Sequence, residues 1–208
     1  MVVAPDGRRG PIDRVYLEAV AFASRPRDTI ALVAANGLVA RPRNIGDAEI
    51  GGAELVLSAR VARVATVTAN YTWQDTAQVS TQPAHDGKAL PQRPRHQLYG
   101  RLDGARTVAD RVVSAWADVS WVAGSYLDLA SNAALPARTL VGAGLRAQLG
   151  AGLVLGLEVK NLVDARLERL ALDPAPRPDL TEVPRPITDF GGFPLPGRAF
   201  YATLEWSR

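Results

Sequence analysis

Side chains from Ala65 to Trp73 alternate in character without a break. Ala65, Val67, Ala69, Tyr71 and Trp73 fall on one side, and Thr66, Thr68, Asn70 and Thr72 on the other. A period of two belongs to an extended strand, because successive side chains point to opposite faces. The pattern returns along the chain. Ala53, Leu55, Leu57 and Ala59 oppose Glu54, Ser58 and Arg60, with Val56 as an exception. Leu98, Gly100 and Leu102 oppose Gln97, Tyr99, Arg101 and Asp103. Val113, Ala115, Ala117, Val119 and Trp121 oppose Ser114, Trp116, Asp118 and Ser120. Val141, Ala143, Leu145, Ala147 and Leu149 oppose Gly142, Gly144, Arg146 and Gln148, and Leu153, Leu155, Leu157 and Val159 oppose Glu158 and Lys160. The last run sets Phe200, Ala202, Leu204 and Trp206 against Tyr201, Thr203 and Glu205. One apolar face and one polar, sparsely charged face suit a strand between hydrocarbon and a hydrated lumen. Stretches such as Arg63 to Gln74 and Arg111 to Ala123 exceed the ~5–6 residues of a typical globular strand. They match the ~9–11 residues that a tilted strand needs to cross a bilayer.

After an irregular start over Met1 to Arg14, the chain reads as about nine strands. The first two are Val15 to Ser24 and Thr29 to Ala35, joined by a tight Arg25-Pro26-Arg27-Asp28 connection, with a loop over Asn36 to Pro42. The third spans about Asn44 to Arg60. Gly51-Gly52 in it marks either a bulge or a place where a bulky neighbour needs space. The first strand alternates imperfectly, since Glu18 shares a face with Tyr16, Val20 and Phe22. Connections alternate between short and long, the long ones being Asp75 to Ala89, Gly124 to Ala137 and Asn161 to Gly197. Short turns on one rim and long loops on the other characterise outer-membrane barrels. A soluble sandwich has no reason to sort its loops in this way.

Composition narrows the alternatives. There is no Cys, which excludes disulfides and thiolate metal sites. The net charge of +3 comes nearly all from Arg, with Lys88 and Lys160 the only lysines. These arginines are scattered near turns and form no basic stripe of the kind that binds nucleic acid. A hydrophobic share of 47% is ordinary for a soluble domain, but a barrel needs apolar residues only at every second strand position. No apolar run is long enough for a transmembrane helix.

Gly142-Ala143-Gly144-Leu145-Arg146-Ala147 fits the G-x-G-x-x-G/A dinucleotide fingerprint, with Asp164 at the expected distance downstream. The alternation runs straight through it where a helix should begin, so these glycines are expected to line the lumen side of a strand. His85 and His96 lack partners at ligand spacing, and a structural or solvated role is expected for both. Asp173, Asp179, Glu182 and Asp189 share the last long loop but follow no calcium-loop spacing. Ser114, Ser120 and Ser125 have no base placed by sequence. The expectation is therefore no enzyme, no catalytic residue, no cofactor and no metal ligand. Trp73, Trp121 and Trp206, with Tyr71 and Phe200, sit at strand ends on the apolar face, as an interfacial girdle does. Trp116 lies on the polar face and is expected to pack against lumen neighbours.

Four segments carry a family resemblance. The closing Pro196-Gly197-Arg198-Ala199-Phe200-Tyr201-Ala202-Thr203-Leu204 run resembles the last strand of the TonB-dependent outer-membrane receptors. Val159-Lys160-Asn161-Leu162-Val163-Asp164 resembles the exit of their penultimate strand. Leu90-Pro91-Gln92-Arg93-Pro94-Arg95-His96 is similar to a strand-opening motif of the family, and Arg43-Asn44-Ile45-Gly46 through Gly52-Ala53-Glu54-Leu55 to another. The family commonly ends on an aromatic, whereas Ser207 and Arg208 follow Trp206 here. The resemblance implies an all-β fold: an antiparallel up-and-down transmembrane barrel, of which residues 15–208 form the C-terminal part. It implies the Gram-negative outer membrane and active uptake of a scarce nutrient such as a ferric siderophore or cobalamin. Its implied partners are outer-membrane lipid, an N-terminal barrel half, a plug domain and the TonB energy-coupling system; nucleic acid is not among them. Met1 to Gly10 has no apolar stretch for a leader, so the chain reads as part of a longer protein whose plug lies outside this sequence. Such a part is not expected to transport alone, and the resemblance carries over no ligand residue. A soluble β-sandwich binding module and another outer-membrane pore are the alternatives.

Overall fold

A computed structural model describes residues 12–35, 39–166, 169–171, 175, 178–179, 181–184 and 197–207. All regular structure in these residues is strand. In chain order the strands are β1 Ile12–Ser24, β2 Ile30–Ala35, β3 Val39–Asn44, β4 Asp47–Val61, β5 Ala65–Val79, β6 His96–Val108 and β7 Arg111–Ala123. Then come β8 Ser125–Tyr126, β9 Ala134–Leu135, β10 Arg138–Gly150, β11 Leu153–Lys160, β12 Arg169–Ala171, β13 Glu182–Pro184 and β14 Ala199–Trp206. Eight of them form one sheet in the order β1-β4-β5-β6-β7-β10-β11-β14, antiparallel at every seam. The remaining six pair as small hairpins.

The register carries the apolar face across the whole sheet. Leu17 pairs with Leu57, Leu57 with Ala69, Ala69 with Gly100, and Gly100 with Val119. Val119 pairs with Val141, while Leu145, Leu157 and Ala202 continue the same face toward the last strand. The uneven alternation of β1 is resolved by this register. Val15, Leu17, Ala19 and Ala21 join the apolar face, and Tyr16, Glu18, Val20 and Phe22 belong to the polar one.

Among the described residues that apolar face covers no core. Among the described residues the buried apolar side chains are Ala48, Leu90 and Ala133, all at the long-loop rim. Phe200 is 75% exposed, Leu204 65% and Leu157 45%, while Leu153 and Leu155 are half-buried. Contiguous apolar exposure on this scale marks an interaction surface, and across a whole sheet of long strands the matching solvent is lipid.

Two differences from the sequence reading concern the beginning of the chain. The first strand opens at Ile12, ahead of the expected Val15. The expected second crossing strand does not cross. Instead β2 pairs with β3, Leu32 opposite Pro42, in a hairpin outside the main sheet. Its base is fastened by Thr29 N–H to Gly46 O (2.8 Å), Ile45 N–H to Thr29 O (2.8 Å) and Ala48 N–H to Pro26 O (3.0 Å). The third strand accordingly splits, with Gly46 at φ +91° between β3 and β4. Arg25 to Asp28 thus begins a long connection rather than a tight turn. With eight crossing strands the rule becomes strict. Residues 25–46, 80–95, 124–137 and 161–198 are long, and residues 62–64, 109–110 and 151–152 are short.

Candidate functional site

The polar face is built from cross-strand neighbours, and three of its side chains, Trp116, Asp118 and Phe22, each lie over a glycine. Trp116 pairs with Gly144. A Cβ on Gly144 would stand 2.0 Å from Trp116 Cζ2 and one on Gly142 2.8 Å from Asp118 Oδ1, so the glycines leave room for the ring and the carboxylate. The dinucleotide-like motif is therefore continuous strand inside β10, as its alternation requires. Gly52 serves likewise: its Cβ would meet the Phe22 ring at 2.6 Å, and pairing passes through Gly51 and Gly52 without a bulge.

Charges on this face are largely matched. Arg101 binds Asp103 two residues along β6 (Nη2 to Oδ1 2.7 Å) and stacks over Trp116 at 5.2 Å from the ring centre. Trp116 is thus held between a guanidinium and a glycine. Arg146 reaches across β11 to Glu205 (2.5 Å), and Lys160 lies over the Tyr201 ring at 5.1 Å. These bonds tie the last three strands of the sheet through side chains as well as backbone.

On the apolar face, aromatics gather toward the long-loop rim. His96 packs between Tyr71 and Trp121, with ring centres 6.2 and 5.9 Å away, and Tyr71 Oη lies 2.8 Å from His96 Nδ1. Trp73 is opposite His96 in the register. His96 is a member of an aromatic belt, a role its spacing alone did not reveal. Trp206, paired with Leu153, marks the opposite rim. Amphipathic rings at both edges of an apolar band fit the two interfaces of a bilayer.

The long loops are pinned where they leave the sheet. Gln78, 1% exposed, donates from Nε2 to Ala89 O (2.9 Å) and Leu129 O (2.8 Å), so one side chain joins loops 80–95 and 124–137. Sequence reading had no signal for it beyond a polar residue at a strand end. The Asn161-Leu162-Val163-Asp164 exit forms a clasp. Asn161 is buried, and its side chain bonds both the N–H and the C=O of Ala165 (2.8 and 3.0 Å). Asp164 Oδ1 accepts the Arg198 N–H at 2.8 Å, and Arg166 pairs with the same carboxylate. The exit of β11 is thereby fixed to the start of β14.

The Arg198 N–H bond first, and Arg166 second, hold the Asp164 carboxyl below its usual range. A carboxyl whose folded value is depressed adds stability above the unfolded value, and loses it as pH falls through the folded one. Hydrogen-exchange protection of the Arg198 amide is therefore expected to fall as pH drops below the ordinary Asp range. In Asp164→Asn the low protection should already be present at neutral pH. Equal protection in both proteins at neutral pH would show that the carboxylate does not hold the strand.

The remaining sequence candidates stay apart. His85 sits in the turn between Gln82 and Lys88, bonded through its backbone. Asp173 and Asp189 lie outside the described residues. Among the described residues no group of acids and histidines gathers as a metal site.

A sheet this long, bare and apolar on one face and ion-paired on the other, with short turns at one rim and pinned loops at the other, is a wall section of a transmembrane β-barrel. The family described as TonB dependent receptor-like, beta-barrel, matches residues 9–162, and the chain belongs to it. Solved structures share the fold. The ferric yersiniabactin uptake receptor FyuA of Yersinia pestis aligns with TM-score 0.61 and 19% identity over 76% of this chain and 23% of that one. The ferric preacinetobactin receptor BauA of Acinetobacter baumannii aligns with TM-score 0.61 and 14% identity, over 95% and 27%. The copper transporter OprC aligns with TM-score 0.61 and 17% identity, over 93% and 28%. The chain thus spans about a quarter of the length of each of these structures. No curated protein sequence matches it.

Proposed function

We propose that this chain forms a section of barrel wall in an outer-membrane receptor for TonB-coupled uptake of a scarce nutrient, a ferric siderophore or cobalamin being the expected classes. It acts as a transporter component and not as an enzyme. Residues from Ile12 to the last strand make up the wall. Outer-membrane lipid covers its apolar face, and a plug domain together with further strands completes the receptor. The long connections lie on the outer rim and help gather ligand. The observation that carries this reading is the exposed apolar face, continuous in register over eight strands. Among the described residues β1 and β14 each pair on one side only. An open edge in hydrocarbon leaves backbone groups unsatisfied, so the chain alone is not transport-competent.

Expression of the chain tests the reading. It should require detergent or lipid vesicles to remain dispersed, show β-sheet circular dichroism there, and give no ferric-siderophore uptake by itself. A monodisperse monomer in plain buffer would refute the membrane assignment and favour a soluble binding module.

A further inference from the structure

We propose that residues 80–95 and 124–137 form one lid, latched by Gln78, whose two loops leave the rim together or not at all. The inference goes beyond the barrel reading and requires no particular ligand. Near the end of β5, Gln78 already has its backbone committed to the first loop. Its N–H donates to Lys88 O (2.8 Å), and its carbonyl accepts the Gly87 N–H (2.9 Å). A primary amide carries two N–H donors on one nitrogen. Here Nε2 meets two acceptors, Ala89 O in the first loop (2.9 Å) and Leu129 O in the second (2.8 Å). Two backbone bonds repeat the tie, Gln92 N–H to Tyr126 O (2.7 Å) and Arg95 N–H to Gly124 O (2.9 Å).

Each loop is also stiffened from within. In the first, Ser80 N–H donates to Asp86 Oδ1 (3.1 Å) and Leu90 N–H to Thr76 Oγ1 (3.0 Å). In the second, the Asp128 carboxylate accepts the N–H groups of Asn132 (3.0 Å) and Ala133 (2.8 Å), and Leu127 N–H reaches Ala133 O (2.9 Å). Leu90 and Ala133, one from each loop, are each 4% exposed. Two stiff loops tied at several points open as one cooperative unit, since losing one tie leaves the others in place. The closed unit also carries a bias toward opening. Among the described residues, Gln78 Oε1, Ser125 Oγ and Ser131 Oγ are buried without a hydrogen-bond partner, and only Thr29 Oγ1 shares that state elsewhere. A buried oxygen without a donor forfeits hydration, which opening restores. The latch thus holds closed a structure that gains solvation when released. On the barrel reading this rim is the outer mouth, so a single step clears both loops from it.

Amide hydrogen exchange of the chain in detergent micelles tests the proposal. In the parent, the bonded amides of Gly87, Leu90, Leu127 and Ala133 should share one protection level, below that of the β5–β6 seam. Gln78→Glu keeps the size of the side chain and removes both donors. It should speed exchange about tenfold in both loops alike. The Ala105 amide, bonded to Val64 O at the opposite rim (3.0 Å), should not change. Coupling is reciprocal, so Asp128→Ala, which leaves the latch intact, should speed exchange at Gly87 and Leu90 as well as at Ala133. If Gln78→Glu fails to fold, Asp128→Ala carries the test. A change confined to one loop in either variant overturns the proposal, as does unaltered protection in Gln78→Glu. Loop amides that exchange only together with the sheet overturn it too. If the chain stays monodisperse in plain buffer, the barrel reading fails, and the same exchange comparison made there still decides whether the loops are one unit.

Discussion

Gly144→Ala is expected to lower the unfolding midpoint of the folded chain clearly, although it adds one methyl group. That methyl would lie 2.0 Å from Trp116 Cζ2. The ring has little room to yield, since Arg101 packs over it and β7 fixes its Cα directly opposite residue 144. Overpacking of this kind costs about 1–3 kcal/mol. The cause is steric, so removal of the ring should remove the cost. In a Trp116→Ala background, Gly144→Ala should be nearly neutral, giving a coupling of the same size in a double-mutant cycle. Urea unfolding in micelles provides the measurement. A Gly144→Ala chain as stable as its parent would mean that Trp116 does not lie on the sheet.

The second large effect separates the two faces. Leu157 lies midway between the aromatic rims, paired with Leu145 and Ala202 on the apolar face. Leu157→Arg places a cation in hydrocarbon and is expected to cost about 2–4 kcal/mol in lipid vesicles. Thr203, on the neighbouring strand, faces the other side opposite Gly156. Thr203→Arg should be close to neutral, because that face is hydrated. In plain buffer a soluble sheet with a solvated surface would tolerate both changes. Equal effects of the two substitutions in vesicles would contradict the assignment of faces.

Much of this was legible because period two needs no tertiary information. The faces of β5, β7, β10 and β14 could be read directly from their residues, and the register later aligned them as expected. The hairpin of β2 and β3 was not read. Thr29 to Ala35 is as apolar as a crossing strand, and what distinguishes it is length and partner. Six residues in β2 are too few to span a bilayer. The Asn36-Gly37 pair in the sequence is a hairpin signal that could have revealed it. The imperfect alternation of β1 was visible in its residues, but its cause was not. Phe22 is accommodated on the polar side because Gly52 opens space there for its ring, a relation between strands far apart in sequence. The belt role of His96 and the loop-pinning role of Gln78 also depend on neighbours supplied by the register. Periodicity within one strand cannot show such neighbours.

An even number of crossings has a consequence for the architecture of any larger polypeptide. Ile12 begins β1 beside Val61, and Trp206 ends β14 beside Leu153. Both ends of the wall section therefore leave from the short-turn rim, which is the periplasmic side in barrels of this kind. Anything joined at either end starts at that rim and need not traverse the wall to get there. A ninth crossing would have sent the two ends to opposite rims.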